Sequence, residues 1–239
     1  MKSSNPIGAF FDLDGTLLAL PSLEWRFIDY LFARKEISGR DLARWFAHSA
    51  ANVLRNPRAA TQGNKRYLAG LRESHVTDWS NSHAASELPF FLQGLARLTW
   101  HRAQQHQIFL VTGTLAPLAR AIVPRLPCPG EIFATELEVL GGRWTGLLAG
   151  SHMSAEEKAR TIHIIAEQRD LDLARSFAYG NGMSDFAMLE AVGHAVAVNP
   201  SARLANRARK HCWSICPWVQ PQTAIPTDRK NLLTPEQAQ

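Results

Sequence analysis

Hydrophobic and polar positions fall into blocks along this chain. Residues 7–11, Ile-Gly-Ala-Phe-Phe, form a short run with no polar side chain, and the run stops at Asp12-Leu13-Asp14-Gly15-Thr16. A run of that kind reads as a strand buried on both faces, the pattern of a parallel sheet. From Ser22 to about Arg72 the period becomes helical. Leu23, Phe27, Tyr30 and Leu31 share one face behind a Ser22 N-cap. Leu42, Trp45 and Phe46 mark a second helix after Ser38-Gly39, Asn56-Pro57 breaks it, and a third is expected over roughly 60–72. Linkers are expected near 19–21 and 77–82. The aromatic residues Trp25, Phe27, Trp45, Phe46 and Tyr67 are expected to be core.

Beyond Ser86 helix and strand patterns alternate, which argues for a parallel sheet. A helix near 87–105 leads to the apolar run 107–111, which ends at Thr112-Gly113-Thr114. A helix over about 117–125 and a short strand at 132–134 precede a hairpin, 137–140 with 143–147, turning at Gly141-Gly142. Ser154 and Glu157 have the spacing of a capping box, opening a helix with Lys158 in its first turn. The run 176–179 ends at Gly180-Asn181-Gly182-Met183-Ser184-Asp185. A helix, a strand at 195–198, a helix from Ser201 and a strand near 213–215 follow, and the tail from Pro217 is expected to be irregular. The expected fold is α/β: a three-layer, Rossmann-like parallel-sheet core with a small all-helical cap inserted after the first strand. Residues 1–18 and 83–216 would form the core, 19–82 the cap and 217–239 a tail.

Composition narrows the class of protein. With 239 residues, 46% hydrophobic and 20% charged, the chain can bury a sizeable core. No apolar run approaches the ~20 residues of a membrane span. The residues before the first strand do not read as a secretion signal, so a cytoplasmic protein without a membrane partner is expected. Cys128, Cys212 and Cys216 form no disulfide framework or zinc pattern and are expected to be reduced. The net charge is +5, yet the densest basic group, Arg203, Arg207, Arg209 and Lys210, reads as a solvated helix face. No nucleic-acid partner is expected.

The ends of the expected strands carry the chemistry. Ligands of open α/β sheets bind beyond the carboxyl ends of strands, where Asp12, Asp14, Thr112, Asn181 and Asp185 fall. Oxygen donors from Asp12, Asp185 and Asn181, completed by water, suit Mg²⁺. A Thr hydroxyl, a Lys ammonium and a Gly-rich backbone suit a phosphoryl group. One carboxylate can then act as nucleophile, and its neighbour two residues on as general acid and base.

Taken in order, Asp12-Leu13-Asp14-Gly15-Thr16, Thr112-Gly113-Thr114, Lys158 and the stretch 180–185 resemble the four motifs of haloacid-dehalogenase superfamily phosphatases. The similarity is to the phosphoserine-phosphatase-like branch with a helical cap, and it covers about residues 7–215. The hairpin Gly141-Gly142-Arg143-Trp144-Thr145-Gly146 and the Val198-Asn199-Pro200 loop resemble that branch too. The resemblance implies a Mg²⁺-dependent phosphatase of a small phosphorylated metabolite, working through an aspartyl-phosphate. Asp12 would be nucleophile and metal ligand, and Asp14 general acid/base with its carbonyl on the metal. Thr112 and Lys158 would hold the phosphoryl group with Gly15 and Gly113, and Asn181 and Asp185 would complete the metal site. Phosphotransfer to an alcohol and a weakened binding or regulatory protein are the alternatives. Two positions depart from the pattern. Asn181 stands where the motif has Asp, so it either ligates the metal as a neutral donor or caps the following helix. Nine residues after the nucleophile, where phosphoserine-specific enzymes carry Glu, this chain has Pro21, with Glu24 three residues on.

Overall fold

The structure, a computed structural model, describes residues 5–40, 42, 43, 45, 47, 65–82 and 87–219. Its centre is β1 (Gly8–Phe11), every residue of which is buried. β1 pairs in parallel with β2 (Gln107–Leu115) on one side and β6 (Phe177–Gly180) on the other. β3 (Glu131–Thr135) extends the sheet past β2, and β7 (His194–Val198) and β8 (Ser214–Cys216) extend it past β6. The six-stranded order is β3-β2-β1-β6-β7-β8. The chain therefore winds outward from β1 in one direction, then returns to wind outward in the other. The crevice at such a reversal is where α/β sheets place ligands.

Helices cover both faces. Because side chains alternate along a strand, Phe11 faces one core with Leu110 and Tyr179, while Phe10 faces the other with Phe109 and Ala178. The first core takes α3 (Leu92–Ala103) and α4 (Ala116–Ile122); the second takes α5 (Ala155–Arg169), α6 (Phe186–Glu190) and α7 (Ala202–Lys210). The α7 residues Arg203, Arg207, Arg209 and Lys210 are exposed, as expected of a solvated face. His101 of α3 is wholly buried under the sheet. Its Nε2 lies 2.9 Å from the Tyr179 hydroxyl and its Nδ1 2.8 Å from His106 Nδ1. No helix among the described residues is long and apolar enough to cross a membrane.

Between β1 and α3 the chain leaves the sheet. It forms α1 (Leu23–Ala33), a 3₁₀ turn at Arg66–Leu68 and α2 (Ser74–Ser80). The exit and the return run side by side: Leu18 bridges Phe90, Phe91 N–H donates to Leu17 O at 2.9 Å, and Ala19 N–H to Pro89 O at 2.9 Å. The second helix expected here is helical at its described residues between 39 and 47. Phe46, Asn56-Pro57 and the first part of the third expected helix lie outside the described residues.

Several expectations change. The third helix does not run through 66–72, because that stretch lies along β5 (Arg143–Leu148), the partner of β4 (Leu137–Leu140) in an antiparallel hairpin. Lys65 N–H donates to Gly146 O at 2.7 Å, Gly70 N–H to Trp144 O at 2.9 Å and Trp144 N–H to Leu71 O at 2.9 Å. Those backbone bonds replace the helical ladder. The linker expected at 77–82 is largely α2, whose Trp79 is wholly buried and packs edge-on to Phe27. Trp25 is exposed rather than core, since it lies on the outer face of α1. The tail is docked at its start: Trp218 is buried against Phe91 and Tyr179. Its backbone is gripped by the Asn199 side chain, which accepts from Trp218 N–H at 2.9 Å and donates to Trp218 O at 3.0 Å.

Candidate active site

The turn after β1 is fixed by its backbone. Asp12 N–H donates to Tyr179 O at 3.0 Å, tying the end of β1 to β6. The Leu13 carbonyl then accepts from Thr16, Leu17 and Leu18 at 2.9–3.2 Å, which folds the motif into a tight loop. Gly15 sits at φ +82°, and a Cβ there would lie 2.0 Å from Asn181 Nδ2. Both the left-handed backbone and the close approach require glycine.

β2 does not end before Thr112 as the pattern suggested. It continues to Leu115, but between the pairs Val111–Phe133 and Leu115–Thr135 three residues of β2 (112–114) oppose one of β3 (Ala134). The excess bulges out, and bulges re-aim side chains beside sites. Thr114 Oγ1 donates to Asp14 Oδ2 at 2.6 Å, and Thr112 Oγ1 lies 3.0 Å from Thr114 Oγ1. The other Asp14 oxygen accepts from Leu23 N–H at 2.8 Å, at the start of α1.

Lys158 is buried in the first turn of α5. Its Nζ donates to Asp12 Oδ1 at 2.7 Å and to Asp185 Oδ1 at 2.6 Å. Asp185 Oδ2 accepts from the N–H groups of Asn181 and Gly182, each at 2.9 Å. Burial acts against the Lys158 charge, yet Asp12 and Asp185 outweigh it and hold the ammonium above its usual range. Asp12 is pushed up to about 7, first by burial and then by the nearby Asp185 carboxylate, against the pull of Lys158. Burial also raises Asp14, opposed by the bonds from Thr114 and Leu23. A carboxyl raised by burial keeps its proton more readily than a free one, which suits Asp14 to donating and accepting protons.

Of the residues singled out from sequence, Asp12, Asp14, Thr112, Gly113, Lys158 and Asn181 line one cavity of about 220 Å³. Gly15 and Asp185 stand behind it, against Asn181 and Lys158 respectively. The expected capping box is not formed. Ser154 has the extended N-cap backbone but makes no side-chain cap bond, and it faces the cavity instead. No side-chain cap bond is made at the start of the 3₁₀ turn Met183–Asp185, whose N-cap is Gly182 rather than Asn181.

Among the described residues no three His, Cys, Asp or Glu side chains close into a metal cage. What the site offers is a pair of carboxylates, Asp12 and Asp185, and a neutral Asn181 oxygen. That donor set fits Mg²⁺, which is held by one or two carboxylates and completes its shell with water and substrate oxygens.

Sequence reasoning overlooked four contributors. Thr114 was visible in principle, because residues two apart on a strand share a face. His152, Lys65 and Tyr67 had no local signal: they reach the region through the loop before α5 and the strip along β5.

The chain matches the model of the haloacid dehalogenase-like hydrolases over residues 9–190. It is 31% identical over 219 residues to phosphoserine phosphatase SerB1 of Mycobacterium tuberculosis, an alignment covering 87% of this chain and 69% of that one. Its fold is similar to that of a Bordetella pertussis Tohama I protein of unknown function, with a TM-score of 0.73, 24% identity and coverage of 90% of this chain and 99% of that one. A phospho-aspartyl intermediate analogue of phosphoserine phosphatase superposes with a TM-score of 0.59 at 19% identity, covering 91% of this chain and 96% of that one. The chain belongs to the haloacid dehalogenase-like hydrolase family. Within it, this enzyme falls in the phosphoserine-phosphatase-like branch.

Proposed function

We propose that this hydrolase cleaves a small phosphate monoester through a phosphorylated Asp12. The observation that carries the reading is Lys158 Nζ bridging Asp12 and Asp185 at the base of a cavity whose other side holds Asp14. Asp12 Oδ2, the oxygen not held by Lys158, attacks phosphorus as the ester P–O bond breaks. Asp14 gives its proton to the departing oxygen. Water then attacks phosphorus, the bond to Asp12 breaks, and Asp14 takes the water's proton, restoring both carboxyls. Thr112 Oγ1, Lys158 Nζ and the Gly113 backbone hold the phosphoryl oxygens, where preorganised donors stabilise developing charge. Asp12, Asp185, the Asp14 carbonyl and Asn181 would hold Mg²⁺, which supplies positive charge beside the phosphoryl group. The segment 19–82 acts as a cap over the core formed by 1–18 and 83–216, excluding water during transfer. The named relative supports the phosphatase reading, and the phospho-aspartyl analogue on the same fold is consistent with the covalent step.

The test is Asp12→Asn with p-nitrophenyl phosphate and Mg²⁺. An amide is a poor nucleophile, so kcat falls by at least about 10³-fold, as for other removed nucleophiles, with the thermal transition retained. A folded variant keeping more than a few per cent of kcat would remove Asp12 from the role.

A further inference from the structure

Resting on the phosphatase reading, we infer that the wall formed by Glu24 and His152, with Lys65 and Tyr67 holding Glu24 from behind, selects hydroxyl-bearing leaving groups and rejects ammonium-bearing ones. Glu24, in the first turn of α1, is the acidic side chain that the helical segment presents to the cavity among the described residues. An anion there would ordinarily recruit a substrate ammonium. Here it is already engaged. Lys65 Nζ donates to Glu24 Oε1 at 2.6 Å and Oε2 at 2.8 Å, and the Tyr67 hydroxyl donates to Oε1 at 2.5 Å.

Lys65 is built into place. Its backbone N–H is bonded to Gly146 O at 2.7 Å, and its side chain is 9% exposed and lies 5.9 Å over the Trp45 ring. β5 approaches so closely that a Cβ on Gly146 would meet Arg66 Cα at 2.7 Å, so the strip carrying Lys65 and Tyr67 is pinned to the hairpin. A substrate ammonium would face the like charge of Lys65 and would have to displace it from Glu24. The pair leaves this wall without net charge.

His152 supplies the positive side of the selection. Its imidazole lines the cavity beside Gly113, and its buried Nδ1 has no hydrogen-bond partner among the described residues. Burial and then Lys65 hold the ring below its usual titration range, so it is neutral, with one donor and one acceptor. A hydroxyl, which also donates and accepts, matches it, and the Ser22 and Ser154 side chains line the same space.

The test compares kcat/KM of the full chain with Mg²⁺ on glycerol 1-phosphate, phosphoethanolamine and phosphoserine, with p-nitrophenyl phosphate as control. Glycerol 1-phosphate is expected to exceed each ammonium ester by tenfold or more. In Lys65→Met, which frees Glu24, the gap to phosphoethanolamine is expected to close by at least tenfold. If p-nitrophenyl phosphate is turned over but the wild-type gap is under tenfold, or the gap persists in folded Lys65→Met, the inference is overturned alone. If no ester is turned over, the phosphatase reading fails and the inference falls with it. The wild-type comparison decides even where Lys65→Met does not fold.

Discussion

Replacing Lys158 by Met tests the electrostatics at the base of the cavity. In the wild type the Lys158 side chain is 2% exposed, and its partners Asp12 and Asp185 are 8% and 0% exposed. Removing the ammonium leaves two buried carboxylates without their cation, a change that costs about 3–5 kcal/mol in comparable pairs. The protein has one escape, which is to protonate Asp12. From the ordinary aspartate value of 3.8, protonation at pH 8 costs about 6 kcal/mol at 1.36 kcal/mol per unit, and this caps the penalty. The cap falls by about 1.4 kcal/mol for each pH unit lowered. The sign follows from the direction of each shift. Lys158 is raised in the fold, so it stays charged below its unfolded value of 10.5 and its own titration adds no slope between pH 5 and 8. Asp12 is raised too, so folding takes up a proton, and stability is lost as pH rises through about 7. Without Lys158 that loss extends to higher pH. In metal-free protein with EDTA, Lys158→Met should lower Tm by about 6–20 °C at pH 8, taking 2–4 °C per kcal/mol for a chain of this size. The deficit should shrink toward pH 5, and adding Asp12→Asn should recover part of it at pH 8. A Tm within about 2 °C of wild type at pH 8, or a deficit that grows on acidification, would refute the argument.

Gly15→Ala should fold less stably by about 1–3 kcal/mol through its positive φ; it should also lose activity, because its Cβ collides with Asn181. Unchanged kcat/KM would show that the loop relaxes freely. Trp218→Ala should cost about 3–5 kcal/mol in urea unfolding, since Trp218 packs on Phe91 and Tyr179; an unchanged midpoint would return the tail start to the surface. His101 is held down to about 3, chiefly by burial and then by His106. Its depressed value means stability is complete above about 6.5, the unfolded value, and is lost as pH falls through about 3. His101→Gln should therefore flatten stability across that window, and an equally steep acid loss would count against it.

What the sequence disclosed depended on whether a signal was local. β1 and its terminal Asp12 and Asp14 were legible because an apolar run stopping on carboxylates has few other readings in an alternating pattern. The ends of β6 and β7 were legible because their apolar runs stop at Gly180-Asn181 and at Asn199-Pro200. Thr112 was found while its partner Thr114, which shares its face of the strand, was passed over; the bond from Thr114 to Asp14 forms beside a bulge that exists only through β3 pairing. The stretch 65–72 looked helical by composition, but its backbone found partners on β5, and tertiary bonds override a weak propensity. α2 was taken for a linker because its polar residues mask two buried anchors, Val76 and Trp79. Trp218 carried no periodicity at all. Its place is set by Asn199, whose left-handed φ of +40° turns the side chain's amide to grip a passing strand of tail.

The side-by-side exit and return at residues 17–19 and 89–91 have a consequence for how this architecture diversifies. Seen from the sheet, everything between them is one loop with its ends clipped together. Clipped ends make the sheet indifferent to the loop's contents, since doubling a flexible loop adds only about 0.6 kcal/mol of closure cost. An insertion of different size or specificity can therefore be grafted at this clip while the β1–β2 register stays as it is. The one thread a graft must preserve is Leu23 N–H to Asp14 Oδ1 at 2.8 Å, because through it the arriving helix orients a carboxylate that belongs to the sheet.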